Sequence, residues 1–219
     1  MKLDIMEALR YLGAGSSPPE VLRRDMEQIA DQLTAAVRPR YAYRVFSTVH
    51  EERGVLLREA GILLTGRSAA RMLAQCDQAV LLISTLGAGF ETMLRAEQAR
   101  DMARAVMLDA CGSAWVESGC NAAEEELAAR FPGRYLTDRF SPGYGDRPLA
   151  LPPAIGAALD AGRRVGVQVT DSFLMNPSKS VTAVIGLSDR PQQARIRGCA
   201  YCSMRETCTL RKGGKSCAL

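Results

Sequence analysis

Four cysteines near the C-terminus form the densest group of potential metal ligands in this chain of 219 residues. They are Cys199, Cys202, Cys208 and Cys217, in the spacing C-x2-C-x5-C-x8-C. Four thiolates can hold a tetrahedral zinc ion or an iron–sulfur cluster. The surrounding arginines and lysines would lower the thiolate pKa values. We therefore predict a metal site in this segment, and both zinc and an iron–sulfur cluster stay open because the spacing is typical of neither.

A second group of residues suited to ligand binding occupies the turn-rich sequence RFSPGYGD, residues 139–146. Arg139 carries a planar guanidinium that matches a carboxylate or phosphate group. Tyr144 offers an aromatic face and a hydroxyl, while Pro142 and Gly143 impose an irregular backbone. The alternative is a surface turn with Arg139 in solvent, and composition alone favours neither.

Two further loops have weaker signals. The sequence TLGAGFE, residues 85–91, has two glycines between a predicted strand and a predicted helix, but Thr92 stands where a dinucleotide-binding fingerprint has its third glycine. We therefore predict a tight strand-to-helix connection there. Residues 171–180 join two predicted strands. We predict a wide connection with Phe173, Leu174 and Met175 folded into the core, and a site-lining role is the alternative.

Composition excludes several functional classes. The only histidine is His50, and neither a P-loop nor a G-x-S-x-G sequence is present, so acid–base and acyl-transfer chemistry have little support. Six basic residues and one acidic residue lie in residues 195–219, which leaves the rest of the chain nearly neutral and argues against nucleic-acid binding. The N-terminus does not resemble a signal peptide, and no apolar run reaches the roughly 20 residues of a membrane span. We expect a cytoplasmic protein without a membrane partner.

The periodicity of apolar residues predicts an α+β fold, with a mostly antiparallel, twisted sheet flanked by helices. Helices are predicted first, then several strands, then a mostly helical stretch over residues 90–130 that Gly112 and Gly119 are expected to interrupt. We predict an N-terminal helical segment (1–38), a ligand-binding domain (39–190) and a cysteine-rich tail (191–219). A helix ended by Gly162 and a strand over residues 165–170 are expected near the end of the domain.

Residues 139–189 resemble the activation domain of cobalamin-dependent methionine synthase, and above all its short stand-alone forms. The family motif R-x-x-x-G-Y corresponds to Arg139, Gly143 and Tyr144. The later motif T-x-S-x-x-M-x-P-x-x-S-V spans residues 170–181. Upstream, RYLG, YRVF, STLGAGFE and LDACGSAWVE are also similar, so the resemblance covers most of residues 7–189. The histidine that follows the first motif in methionine synthase has no counterpart in residues 145–148.

The resemblance implies binding of S-adenosylmethionine. Arg139 would contact the methionine carboxylate, and Pro142, Gly143 and Tyr144 would hold the adenosine part. It further implies reductive reactivation of a cobalamin-dependent methyltransferase, in which the bound methyl group is presented to a corrinoid on a separate protein. That partner is expected to be a methionine synthase lacking its own activation domain, and a corrinoid protein of another system is the alternative.

Two other functions stay open at this stage. The chain could be a docking module or chaperone for a corrinoid protein, without methyl transfer. It could instead be an iron–sulfur electron-transfer protein. Within the reactivation function, an iron–sulfur cluster in the tail could receive the required electron from a separate donor. The chain would act as part of a methyltransferase system, and the sequence alone leaves open whether it is itself the enzyme.

Overall fold

The computed structural model describes residues 1–14, 17–141, 151–192 and 206–207. The helices within these ranges are α1 (Ile5–Tyr11), α2 (Glu20–Ala36), α3 (Arg67–Leu73), α4 (Gly87–Gln98), α5 (Met102–Arg130), α6 (Leu151–Leu159) and α7 (Ala161–Val165). The strands are β1 (Arg40–Glu51), β2 (Gly54–Leu57), β3 (Ile62–Leu64), β4 (Gln78–Thr85), β5 (Tyr135–Leu136), β6 (Gln168–Val169), β7 (Met175–Asn176) and β8 (Ser180–Ser188). No helix in this part of the chain is long and apolar enough to cross a membrane.

Six of these strands form one antiparallel sheet in the order β3-β2-β1-β4-β8-β5. Strand β4 lies between β1 and β8, and Leu82 is paired with Tyr43 on one side and Ala183 on the other. Its sequence QAVLLIST is apolar without alternation because both of its faces are buried. The predicted α+β fold with an antiparallel sheet is confirmed.

The two faces of the sheet are covered by different helices, as the alternation of side chains along a strand requires. One face packs against α5, through Val80, Leu82, Cys120, Ala123, Leu127, Ala183, Ile185 and Leu187. The opposite face packs against α3, α6 and α7, through a cluster that includes Phe46, Leu73, Leu81, Ile83, Phe140, Ile155 and Val184. Arg139, which precedes Phe140, therefore projects toward α5.

Helices α1 and α2 pack on the first half of α5. Their shared core contains Leu9, Met26, Ile29, Leu33, Phe90 and Trp115. The indole Nε1–H of Trp115 donates a 2.8 Å hydrogen bond to the carbonyl of Val37. This bond ties the end of α2 to α5 and satisfies a polar atom that burial would otherwise leave without a partner.

Helix α5 is continuous, so the predicted interruption at Gly112 and Gly119 is wrong. The chain turns earlier, before Asp101, whose carboxylate caps the helix by accepting a 3.1 Å hydrogen bond from the backbone N–H of Arg104. A Cβ on Gly112 would lie 2.6 Å from Cε2 of Phe90, and one on Gly119 would lie 2.8 Å from Cβ of Pro39. These glycines are contact points for close packing rather than helix ends.

The end of the domain also differs from its prediction. Gly162 does not end a helix, because α6 stops at Leu159 and Gly162 lies within the short helix α7. The residue that caps α7 is Gly166, whose φ of 75° is a conformation that glycine adopts at little cost. The strand predicted over residues 165–170 shrinks to the two residues of β6, which pair with β7.

Candidate functional site

Arg139 is positioned by an extra backbone pairing at the edge of the sheet. Phe140 and Val184 exchange two hydrogen bonds, of 3.0 and 2.8 Å, and the Phe140 side chain is buried on the α6 face. Because neighbouring side chains of an extended segment point to opposite faces, Arg139 projects toward α5. The alternative of a solvent-exposed Arg139 is wrong, since only 12% of its side chain is exposed.

Three polar side chains of α5 hold the Arg139 guanidinium. Nη1 donates to Oδ1 of Asn121 at 2.7 Å and to Oε1 of Glu124 at 2.6 Å. Nη2 donates to Oε2 of Glu117 at 2.6 Å. The spacing of 117, 121 and 124 places these residues on one face of the helix. We call this group, Glu117, Asn121, Glu124 and Arg139, the Arg139 cluster.

The electrostatics of the Arg139 cluster keep the guanidinium charged. Burial by itself would lower the pKa of Arg139, but the negative charges of its neighbours, the thiolate form of Cys120 and the carboxylates of Glu124 and Glu117, outweigh it and raise that pKa. Burial and the charge of Glu117 raise the pKa of Cys120 to about 12, so that this thiol is neutral and unreactive. With two carboxylates and one guanidinium, the cluster carries a formal charge of −1.

Helix α1 brings an aromatic residue close to the same cluster. Tyr11 is the last residue of α1 and is 43% exposed. Burial raises the pKa of Tyr11 to about 12, with a further contribution from the negative charge of Glu117, which means that the phenol lies within electrostatic reach of that carboxylate. The Arg10 guanidinium lies 4.7 Å from the centre of the Tyr11 ring and is paired with Glu7 at 2.9 Å. Sequence reasoning missed Tyr11, although RYLG was among the similar segments.

The motif over residues 170–181 is anchored through its second half. Ser180 Oγ lies 2.8 Å from Thr85 Oγ1 and 2.7 Å from the Pro177 carbonyl. The backbone N–H and the hydroxyl of Ser178 both donate to Oε1 of Glu91, at 2.7 and 2.6 Å. The hydrogen bonds from Ser178 lower the pKa of Glu91 and outweigh burial, which by itself would raise it. These contacts fasten the motif to the start of α4.

Lys179 fastens the same motif to α5. Its Nζ donates to Oδ2 of Asp109 and to Oγ of Ser113, both at 2.9 Å. Asp109, Ser113, Glu117 and Asn121 follow one another at intervals of four residues, so Lys179 and Arg139 bind the same polar stripe of α5. Arg139 and Lys179, which are distant in the sequence, therefore contact a single helix face.

The chain has a match among solved structures, but none among family models or curated proteins. The scan of family models gave no match, and the search of curated proteins gave none either. Among solved structures, the chain matches the crystal structure of the MetH reactivation domain bound to AdoHcy. The match has a TM-score of 0.66 and 15% sequence identity, and covers 97% of this chain and 82% of that one. The chain has the MetH reactivation-domain fold.

Within the reactivation-domain fold, the tip of the β6–β7 hairpin is exposed. Phe173 and Leu174 are 44% and 68% exposed, so the prediction that they fold into the core is wrong. Only Met175 packs partly against the core. The hydroxyl of Thr170 accepts a 3.1 Å hydrogen bond from the N–H of Leu174 and lies 2.9 Å from Oγ of Ser172. This local bonding closes the hairpin and directs its apolar tip outward.

The glycine-rich turn before α4 is a tight connection, as predicted. Strand β4 ends at Thr85, and the helix begins two residues later at Gly87 with a φ of 73°. The Gly87 N–H donates to Oγ1 of Thr85 at 3.0 Å, and the Leu86 N–H donates to the Lys179 carbonyl at the same distance. The backbone N–H groups of Leu86 and Gly87 are thus used within the protein.

Several predicted site residues lie outside the described residues: Pro142, Gly143, Tyr144, Cys199, Cys202, Cys208 and Cys217. Of the predicted ligand-binding residues, Arg139 is the one that the structure describes. Within the described ranges, no group of three or more histidine, cysteine or acidic residues could hold a metal ion. Cys76, Cys111 and Cys120 are buried free thiols, and burial is the first cause that raises each pKa.

Proposed function

We propose that this chain binds S-adenosylmethionine beside the Arg139 cluster and presents its methyl group to a corrinoid held by a partner protein. The observation that carries the proposal is the mostly buried Arg139, the first residue of the R-x-x-x-G-Y motif, held by its cluster in a fold that is shared with an AdoHcy-bound reactivation domain. AdoHcy, S-adenosylhomocysteine, is what remains of S-adenosylmethionine after methyl transfer. The fold and the chemistry of Arg139 therefore point to the same ligand.

In this proposal Arg139 receives the methionine carboxylate of the ligand. Glu117, Asn121 and Glu124 hold the guanidinium in one orientation, so less rotational freedom is lost when a ligand binds. Pro142, Gly143 and Tyr144 would hold the adenosine part, as the family resemblance implies. A planar guanidinium suits this role better than a lysine ammonium because it presents paired donors in a fixed geometry.

The chemistry requires positioning rather than proton transfer. A stalled cob(II)alamin on the partner would take up one electron from a separate reductant and the methyl group from the sulfonium, giving methylcobalamin and neutral S-adenosylhomocysteine. The carbon–sulfur bond breaks, a carbon–cobalt bond forms, and no proton moves. The chain would supply proximity and orientation, while the corrinoid supplies the reactivity. The partner would be a methionine synthase without its own activation domain, or another corrinoid protein, in the cytoplasm.

Calorimetric titration of the anaerobically purified chain with S-adenosylmethionine tests the binding step. We expect saturable binding at one site per chain, and no comparable heat with adenosine and methionine added as separate molecules. A folded protein that gives no saturable heat would contradict the proposal. Thermal unfolding provides an independent readout, because a ligand that binds only the folded state raises the midpoint of unfolding.

For the tail we propose a metal site formed by Cys199, Cys202, Cys208 and Cys217. Its support is the clustering of four thiols within a basic segment, where cations offset the charge of four thiolates. An iron–sulfur cluster there would receive the electron for reactivation from a separate donor. Anaerobic purification followed by visible absorbance and metal analysis is the test. Iron with a visible chromophore is expected, and zinc without a chromophore would end the electron-transfer role.

A further inference from the structure

Helix α5 carries exposed apolar residues on the same face as the Arg139 cluster. Met102 and Val106 are 61% and 51% exposed. Val106 precedes Asp109, the first residue of the polar stripe of α5, by three residues, and Met102 precedes Val106 by four. Residues at these intervals lie along one side of a helix. A protein that approaches the Arg139 cluster from outside therefore also faces Met102 and Val106.

The β6–β7 hairpin places a second exposed apolar pair near this stripe. Lys179, which follows the hairpin, binds the stripe through Asp109 and Ser113 at 2.9 Å. Leu174 at the exposed tip precedes Lys179 by five residues, so the tip lies within about 17 Å of that lysine. Phe173 beside it has a φ of 65°, which is unfavourable for a bulky side chain. An exposed apolar tip on a strained backbone is typical of a surface that binds a partner.

The size of a stable interface is sufficient to cover the ligand site and the apolar residues together. Such an interface buries about 800 Å² on each partner, which corresponds to a circle of about 16 Å radius. Ser113 lies eleven residues from Met102 and eleven from Glu124, or about 16 Å along α5 in each direction. A footprint centred on Ser113 therefore extends from the Arg139 cluster to the exposed start of α5.

We infer that Met102, Val106, Phe173 and Leu174 form the docking face for the partner protein that carries the corrinoid. This inference rests on the proposed function and names the surface that binds the partner. The cobalt must reach the methyl group of the bound ligand, so the partner has to cover the outer side of the Arg139 cluster. A second copy of this chain on the docking face would cover the same cluster and exclude the corrinoid. Methionine and aromatic side chains are also enriched in protein–protein interfaces.

The test measures the affinity of the full chain, in the presence of S-adenosylmethionine, for a cob(II)alamin-loaded methionine synthase that lacks its own activation domain. One variant combines Met102→Gln with Val106→Gln. The other combines Phe173→Asn with Leu174→Ser, because asparagine tolerates a positive φ. The matched control is Val21→Gln, since Val21 is 71% exposed on α2, outside the docking face. Thermal unfolding of each variant confirms that it is folded.

Each double variant is expected to weaken partner binding by about tenfold or more, as truncation of central interface residues does. The partner concentration that gives half-maximal methylcobalamin formation should rise by a similar factor. Affinity for S-adenosylmethionine, measured by calorimetry without the partner, should stay that of the wild type. The control variant should match the wild type in every measurement. If one double variant does not fold, the other supplies the same comparison.

The failures of the two proposals are distinguishable. A wild type that binds neither S-adenosylmethionine nor the partner would overturn both. Wild-type partner affinity in both double variants, with ligand binding intact, would overturn the docking face alone. A wild type that binds the partner through this face but does not bind S-adenosylmethionine would overturn the proposed function alone. Sedimentation of the chain as a dimer that the double variants dissociate would assign the face to a second copy and overturn the inference.

Discussion

Arg139→Ala is expected to abolish detectable S-adenosylmethionine binding and to lower the free energy of unfolding by about 3 kcal/mol, since it removes one partner from a mostly buried ion cluster. The loss of stability arises because Glu117 and Glu124, whose side chains are only partly exposed, would lose their ion pairs with Arg139. Calorimetric titration and urea unfolding measure the two effects. Arg163→Ala is the matched control, because Arg163 is 82% exposed and its pair with Asp160 should contribute no more than about 0.5 kcal/mol.

A triple substitution separates binding from stability. Arg139→Met combined with Glu117→Gln and Glu124→Gln removes all three charges, and replacement of a buried ion group by neutral side chains is often tolerated. We expect much of the lost stability to return while ligand binding stays absent. Wild-type affinity in this folded variant would contradict a role for Arg139 in binding and would reduce the cluster to a structural one.

Gly112→Ala is expected to lower the free energy of unfolding by about 2 kcal/mol, although alanine is the better helix former by about 1 kcal/mol. The new methyl group would press on the ring of Phe90, which is fully buried between α4 and α5. Because Phe90 is 0% exposed, its ring cannot relieve the contact by moving into solvent. Urea unfolding of the purified variant measures the change.

The control for this prediction is a double-mutant cycle with Phe90→Leu. In the Phe90→Leu background the ring is gone, so Gly112→Ala should cost little or should stabilise the helix by up to about 1 kcal/mol. An equal cost in both backgrounds would contradict the assigned contact. Gly133→Ala is a useful reference. A Cβ at this position would meet no atom within 4 Å, so the change in the free energy of unfolding reflects only the cost of the positive φ.

The fold was largely predictable because its main signals are local. The apolar run in β4 and the alternation around it predict buried strands, and the structure contains them. The wrong prediction of an interruption in α5 has a physical cause. Helix propensity penalises Gly112 and Gly119, but contacts with Phe90 and Pro39, distant in the sequence, require residues without a side chain. Local propensity cannot anticipate such contacts.

The site was predictable only in part. Arg139 stood out because its side-chain chemistry and loop context suggest an anion-binding role. Its partners did not, because Glu117, Asn121 and Glu124 are separated from it by 15 to 22 residues and read as an ordinary solvated helix face. These three residues share one face of a helix whose other residues are mostly small or apolar. That pattern could have identified them. The exposure of Phe173 and Leu174 depends on how the β6–β7 hairpin closes, and amino-acid composition does not predict that closure.

In the proposed function, the chain delivers the methyl group of S-adenosylmethionine to a corrinoid on a partner protein. The most direct measurement is an anaerobic reaction of the full chain with methyl-labelled S-adenosylmethionine, a reductant and a cob(II)alamin-loaded methionine synthase that lacks its own activation domain. We predict labelled methylcobalamin and an equal amount of S-adenosylhomocysteine, with neither formed when Arg139→Ala replaces the wild type. Bound S-adenosylmethionine whose label never reaches cobalt would contradict the claim and would favour a docking role.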